Sequence, residues 1–405
     1  MKGECENVPQ IRFEGFTAAW EQRKLGELYD IYSGQTPFRG DQDNFQNPTT
    51  AWIKTTDLNN ASIEKNEEDI SDKALEKLRL LPIGSVLVAM YGGFNQIGRT
   101  GMLTYPATIN QAISALSPIS EIDSYFLITE LNHRVDEWKI VAASSRKDPN
   151  ITKKDVENFV LKYPSLTEQI HIGTFFRTLD SIIALYRSKL EGLWELKKGY
   201  LQLMFPQIDE CVPRVRFAGF TKSWEQRKFK DISSSYSGGT PSVSNPKYYG
   251  GNIPFIRSAE INSCSTELLL TEEGLKNSSA KMVSKGIILY ALYGATSGEV
   301  GVSQIDGAIN QAILAIKPND GYDAQYLMQW LRSNKQNIVD TFLQGGQGNL
   351  SGSIVKDLDI VCPLHVEQTA IGNFFRKLDD NITMQQIKLD QLNQLKVAYL
   401  QKMFM

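Results

Sequence analysis

The sequence predicts an α+β protein: two mixed α/β globular domains, plus two long helices that pair as a coiled coil. Three observations predict it. A 38-residue stretch, 168–205, returns as 367–404 with about 20 identities and no gap. Apolar residues recur through both copies at steps of three and four. The regions before each copy share landmarks in the same order, so the chain is an internal duplication of one globule-plus-helix plan.

The helices come first. The seam of the first copy is Ile172, Phe176, Leu179, Ile183, Tyr186, Leu190, Leu193 and Tyr200; that of the second is Ile371, Phe375, Leu378, Ile382, Leu389, Leu392, Leu395 and Tyr399. This spacing is close to a heptad. Each helix would span about 57 Å. So narrow a stripe needs a partner of similar length, and the chain supplies one; folding back on its own globule is the alternative for each helix. The seams alone do not give direction. Ser165-Leu166-Thr167-Glu168 fits a capping box, and Pro206 would stop the first helix. Gly192 and Gly199 each cost about 1 kcal/mol against alanine and predict a bend or a close approach.

Each globule opens on a repeated segment. Val8–Phe16 and Trp20-Glu21-Gln22-Arg23-Lys24 return as Val212–Phe220 and Trp224-Glu225-Gln226-Arg227-Lys228. Ser33-Gly34-Gln35-Thr36-Pro37 returns as Ser237-Gly238-Gly239-Thr240-Pro241, and Trp52-Ile53-Lys54 as Phe255-Ile256-Arg257. Ile109-Asn110-Gln111-Ala112-Ile113 returns as Ile309-Asn310-Gln311-Ala312-Ile313. The offset falls from 204 to 199 along the repeat, and the stretches between landmarks diverge. Val86–Tyr91 and Ile287–Tyr293 read as buried strands after glycine turns, and Asn110–Leu116 and Asn310–Ile316 as further strands. Tyr125–Ala143 and Asp323–Phe342 have helical spacing and are followed by polar loops. A short β-prone stretch, Phe159–Tyr163 or Leu358–Cys362, leads to each long helix.

Composition is ordinary for a globular protein, with 41% hydrophobic residues and a net charge of −3. No apolar run is long enough for a membrane span and Met1–Glu4 shows no signal segment, so a cytoplasmic location is expected. Cys5, Cys211, Cys264 and Cys362 form no CxxC and are expected as reduced thiols. Residues 1–162 carry 18 basic against 23 acidic side chains. Bulk electrostatics therefore cannot give strong indiscriminate attraction to nucleic acid.

Searches for chemistry return little. His133, His171 and His365 have no metal-ligand spacing, and neither a GxSxG elbow nor a P-loop is present. The glycines around Gly92 and Gly294 read as tight loops. Asp180 and Asp379 correspond but sit beside the seams, where they read as solvated flanks. The Asn-Pro-Pro-aromatic signature of amino-methyltransferases is missing, since Asn47-Pro48 and Asn245-Pro246 continue with threonine and lysine.

Taken together, the landmarks resemble the specificity subunit of type I restriction–modification enzymes over essentially the whole chain. The second half fits best, through Ser237–Ser242, Tyr248–Arg257, Tyr293–Gly298 and Glu367–Phe404. The first half lacks the Tyr-Tyr-Gly-Gly turn and carries Gly92-Gly93-Phe94-Asn95-Gln96 in place of the Gly-Ala-Thr stretch. The resemblance implies a non-catalytic chain without a cofactor of its own. It places a first target recognition domain at 1–165, a central spacer helix at 166–205, a second domain at 206–364 and a C-terminal spacer helix at 365–405. It implies long antiparallel helices with pseudo-twofold symmetry, separating the domains and suiting a split target on double-stranded DNA. It also implies two methyltransferase (modification) subunits, which bring S-adenosylmethionine and methylate adenine, and two restriction (motor-nuclease) subunits. Candidate DNA-binding side chains lie in loops: Arg39, Lys54, Asn95, Gln96, Arg99, Arg146 and Lys147 in the first domain, and Lys247, Tyr248, Arg257, Thr296, Ser297, Gln344 and Gln347 in the second. Asn110-Gln111 and Asn310-Gln311 recur in both halves, which suits a scaffold or phosphate role. The rival reading is a tandem protein-binding scaffold with a coiled-coil rod.

Overall fold

The computed structural model describes residues 8–93, 95–143, 149–206, 210–343 and 349–405. The chain forms two compact units, one of Met1–Arg187 with Lys388–Met405 and one of Ser188–Ile387. The division cuts both long helices, Leu166–Leu203 and His365–Met403. Each unit therefore holds half of each helix.

In the first unit a five-stranded sheet runs in the order Tyr32–Ser33, Ile113–Leu116, Val86–Ala89, Thr100–Leu103, Ala61–Ile63. Its central strand is buried throughout. Strand alternation sends Val86 and Val88 into the core shared with the long helices, and Leu87 and Ala89 into a second core on the other face. A three-stranded sheet, Asp69–Ile70, Thr50–Ile53, Ala107–Ile109, completes the domain; its last two strands are parallel. The second unit repeats the scheme. One sheet orders Ser233–Ser237, Ile313–Pro318, Ile288–Ala291 and Val300–Val302; the other orders Leu269–Leu270, Tyr249–Ile256, Gly307–Ile309 and Lys281–Val283.

Several elements are shorter than their sequence patterns. The Asn110 and Asn310 stretches begin as turns, with strands starting at Ile113 and Ile313. The helical stretch after Tyr125 divides at Arg134 into Ser124–His133 and Val135–Ala143. Its counterpart divides at Asn334. The repeated Glu-Gln-Arg-Lys segments are strands, each antiparallel to the strand before a long helix.

The start of each long helix is clamped to its domain. Ser165 Oγ accepts from the Glu168 amide at 3.5 Å, but Glu168 does not reach back as a capping box requires. Its carboxylate instead accepts from Arg12 Nε and Nη2 at 2.8 and 2.6 Å. Glu367 does the same with Arg216, at 2.5 and 2.7 Å. These bidentate contacts explain the repeated arginine in the opening segments. The next residue adds a second anchor. Gln169 donates to the Pro164 carbonyl and accepts from the Asp123 amide, and Gln368 treats Pro363 and Asp323 alike. Gly173 and Gly372 let the helix approach that aspartate: a Cβ at either would lie 2.5 Å from the Asp123 or Asp323 carboxylate. By contrast, among the described residues nothing beyond the helix's own neighbouring backbone lies within 4 Å of a Cβ built at Gly192 or Gly199, so the close approach expected there is not seen.

The helix segments run antiparallel within each unit. In the first, Phe175 meets Tyr399 at 5.0 Å between ring centroids, and Asp180 pairs with Lys396 at 2.5 Å. In the second, Tyr200 meets Phe374 at 5.0 Å and Lys197 pairs with Asp379. One index rises as the other falls. Asp180 also accepts from Tyr125, and Asp379 from Gln329 and Arg332. The expectation that these aspartates are solvated flanks is therefore corrected: each ties both helices to its domain. Most seam residues are buried, from Ile172 to Leu190 and from Ile371 to Leu392. Leu395 is not; it is 44% exposed, and the seam there takes Lys396 instead. Each helix ends by inserting a Met-Phe pair into a core, Met403-Phe404 against Trp20, Phe126 and Phe176, and Met204-Phe205 against Trp224, Tyr326 and Phe375. No described helix is long and apolar enough to cross a membrane. Cys211, Cys264 and Cys362 are unpaired thiols.

Candidate nucleic-acid interface

Three loops gather at one end of each domain, past the C-terminal ends of the parallel strands. In the first unit, Asn110 donates its amide to the Ile53 carbonyl, joining the turn after Ala107–Ile109 to that after Thr50–Ile53. The Met90 amide donates to Ala112 and the Ile151 amide to Met90, which brings in the loop after the central strand and the segment before Lys153. In the second, Leu292 donates to Ala312 and Leu350 to Leu292.

The repeated motifs build this platform. Gly34 passes so close to the Ile109-Asn110 turn that a Cβ would sit 2.2 Å from the Ile109 carbonyl oxygen; at Gly238 the figure is 1.8 Å from Ile309. No other residue fits there. The Asn110 and Asn310 side chains accept from the amides of Ala112 and Ala312. Thr36 donates to Gln111, and Thr240 to Gln311 at 2.7 Å. Both Asn-Gln pairs thus serve the scaffold.

Arg39 lies over the rings of Phe45 and Trp52, at 4.6 and 5.1 Å, and makes a bidentate pair with Glu68. Lys54 reaches Glu67 at 3.1 Å and Glu68 at 3.4 Å, so Glu68 brings Arg39 and Lys54 together. The Arg39 guanidinium, with Lys54 behind it, holds Glu68 below the usual carboxylate range. Asn95 is exposed. Gln96 is half-buried, and its Oε1 has no hydrogen-bond partner among the described residues. Arg99 donates to the Leu58 carbonyl at 3.5 Å.

In the second unit Arg257 is held by Glu260 at 3.0 Å and Glu267 at 2.5 Å, first Glu260 and then Glu267 raising its pKa. Thr296 ends the Gly294–Thr296 turn and donates to the Tyr293 carbonyl. Ser297 is buried, its hydroxyl committed to the Leu292 carbonyl, so it shapes the loop from inside. Lys247 and Tyr248 stand at the other end of the strand Tyr249–Ile256 from Arg257, roughly 26 Å of strand away. The structure does not bring them together with Arg257. Arg99 and Lys247 have no carboxylate partner among the described residues. Arg146, Lys147, Gln344 and Gln347 lie outside the described residues.

The sequence reading missed the acids Asp57, Glu67, Glu68, Glu260 and Glu267. A signal existed: Glu67 and Glu267 are 200 apart, inside the range of the landmark offsets.

Two copies of one loop platform, carrying different side chains, define a tandem recognition protein. The sequence pattern of the type I restriction modification DNA specificity domain matches twice, over residues 18–194 and 221–394, and the chain belongs to that family. Membership makes it a specificity component with two target recognition domains, a DNA-recognition chain and not an enzyme. It is similar to the putative type I restriction enzyme MjaX specificity subunit of Methanocaldococcus jannaschii, 22% identical over 96% of this chain and 94% of that one. It is also similar to the EcoR124I/EcoR124II specificity subunit of Escherichia coli, 24% identical over 43% of each chain. Among solved structures, the S subunit of the type I restriction–modification system from M. genitalium matches 98% of this chain and 99% of its own, with a TM-score of 0.71 at 15% identity, a likeness of fold.

Proposed function

We propose that the chain reads a bipartite, asymmetric target on double-stranded DNA, one half-site per domain, in the cytoplasm. In this reading it docks two methyltransferase subunits that methylate adenine with S-adenosylmethionine, and two restriction subunits join them in the full complex. The carrying observation is the pair of loop platforms, which share the main-chain bonds that follow their central strands and differ in side chains. Equal frameworks suit two sites of one kind; unequal side chains suit two different half-sites. Asn95, Gln96 and Arg99 in the first domain, and Lys247, Tyr248 and Thr296 in the second, are the described candidates for base contacts. Arg39 joins them where its pair with Glu68 opens.

Motif-resolved methylome sequencing, with and without this chain in cells that hold its methyltransferase partner, tests the reading. A split adenine motif appears only with the chain; no change in any such motif contradicts it. A finer test inserts seven residues after Lys189 and after its counterpart Lys388, one heptad in each helix. That adds about 10.5 Å of helix, roughly three base pairs. The unread gap should lengthen while both half-sites stay the same. Changed half-site bases with a constant gap would contradict the spacer role.

A further inference from the structure

One device recurs in both domains with its main-chain contacts and its outer acid preserved, while the second acid on the basic head differs: Glu260 also pairs with Arg257, and Lys54 takes Glu68 instead. Lys54 and Arg257 each stand one residue beyond a strand that runs parallel to its neighbour. The Lys54 amide donates to Asp57 at 2.7 Å, and the Arg257 amide to Glu260 at 3.1 Å. The other oxygen of each carboxylate accepts from a second amide, Glu67 at 3.0 Å and Glu267 at 2.9 Å. Glu67 and Glu267 then turn their carboxylates to the basic head, at 3.1 and 2.5 Å. The inner acid is fixed by main-chain amides. The outer acid is not: the side chains of Glu67 and Glu267 are 64% and 80% exposed.

A base reader must differ where the half-sites differ, whereas a phosphate contact need not. Here the framework is kept while lysine is exchanged for arginine. A phosphate takes either cation, whereas an arginine that reads guanine through both terminal nitrogens loses that fork when lysine replaces it. We propose that Lys54 and Arg257 are the equivalent phosphate-contacting residues of the two domains, each masked by a displaceable carboxylate, Glu67 or Glu267. Binding then exchanges an internal ion pair for one with DNA. Such an exchange gains little unless the rest of the loop platform also fits, so DNA of the wrong sequence is held weakly. This inference rests on the DNA-recognition reading and gives Lys54 and Arg257, two of the candidate DNA-binding side chains, a backbone role.

The test is fluorescence anisotropy of the full chain with its methyltransferase partner. Two labelled duplexes are used, one with the methylome-defined motif and one scrambled, across a salt series. Lys54→Gln and Arg257→Gln should weaken binding to both duplexes by similar factors, roughly tenfold, and lower the salt slope by about 1 each. Arg257→Lys and Lys54→Arg should retain binding. Glu67→Gln and Glu267→Gln should strengthen binding to the scrambled duplex at least as much as to the target. Loss confined to the target duplex, or loss in Arg257→Lys as severe as in Arg257→Gln, would overturn the assignment in favour of base reading. Unchanged binding in all six variants would overturn it as well. A wild-type complex that cannot tell the two duplexes apart would instead sink the recognition reading itself.

Discussion

Asp379→Ala is the sharpest probe of how the helices are held. Lys197 lies in the seam with its side chain 5% exposed. Burial, and then the nearby Arg332, pull its ammonium below the usual lysine range, with Asp379 opposing both. Removing the Asp379 carboxylate leaves a buried lysine facing an arginine, and strips acceptors from Gln329 and Arg332. One-sided loss of a buried pair costs about 3–5 kcal/mol. Asp379 keeps 29% of its side-chain surface, so the low end applies. At ~2–4 °C per kcal/mol for a unit of this size, Tm should fall by about 6–12 °C. Lys197→Met alone should cost far less, because Asp379 keeps Arg332 and methionine fills the seam without a charge. Added to Asp379→Ala, Lys197→Met should restore most of the loss. Calorimetry of the full chain reads all three variants. An Asp379→Ala protein within about 0.5 kcal/mol of wild type, or a double variant no better than the single, would refute the reasoning.

Glu130 is fully buried, and burial, opposed by Arg134, pushes its carboxyl up to about 7 from a usual 4.5. The folded state therefore binds more protons than the unfolded one between those values, so stability is highest below the unfolded pKa and declines as pH rises to about 7, by about 3 kcal/mol. Glu130→Gln should flatten that decline and raise Tm at mildly alkaline pH; melts across the range that keep the wild-type slope would count against it. Gly238→Ala would force a methyl against the Ile309 carbonyl oxygen. It should destabilise the second domain by about 3 kcal/mol or more, read by urea unfolding, and a wild-type midpoint would contradict the close approach.

The long helices were legible because their seams are long and periodic, and no other element competes for so narrow a stripe. Their direction was not, because two nearly identical seams match either way round. What settles it is the Asp180–Lys396 and Lys197–Asp379 pairs. Hydropathy places Leu395 in the seam and passes over Lys197, yet Leu395 is exposed and Lys197 is buried. A lysine enters a seam only where a carboxylate waits on the opposite helix, and no spacing rule within one helix reveals that. The single helix expected from Tyr125 to Ala143 breaks because Arg134 leaves helical geometry to bind Glu130, Glu137 and the Val160 carbonyl, a contact 26 residues away. In the loops the scaffold was legible, since Ser-Gly-x-Thr-Pro and Ile-Asn-Gln-Ala-Ile recur as partners. The masking acids were not singled out, because an exposed glutamate in a polar loop has no local signature.

Acidic side chains thus solve two problems that apolar residues cannot. In the seam, hydrophobic contact alone would accept parallel or shifted pairings nearly as well as the observed one; the buried Lys197 rejects any register that leaves it without Asp379, and Lys396, 27% exposed, adds a weaker pair with Asp180. At the loops, under the masking we propose, unpaired cations would hold any duplex; here Arg39, Lys54 and Arg257 are each paired with a carboxylate and the net charge is −3. Both choices forgo strength for discrimination. For a recognition chain that trade is favourable, because its target competes with a great excess of non-specific sites, and the ratio of affinities, not the affinity itself, decides where it rests. The acidic balance that first counted against DNA binding is therefore what a stringent reader with masked phosphate contacts should show.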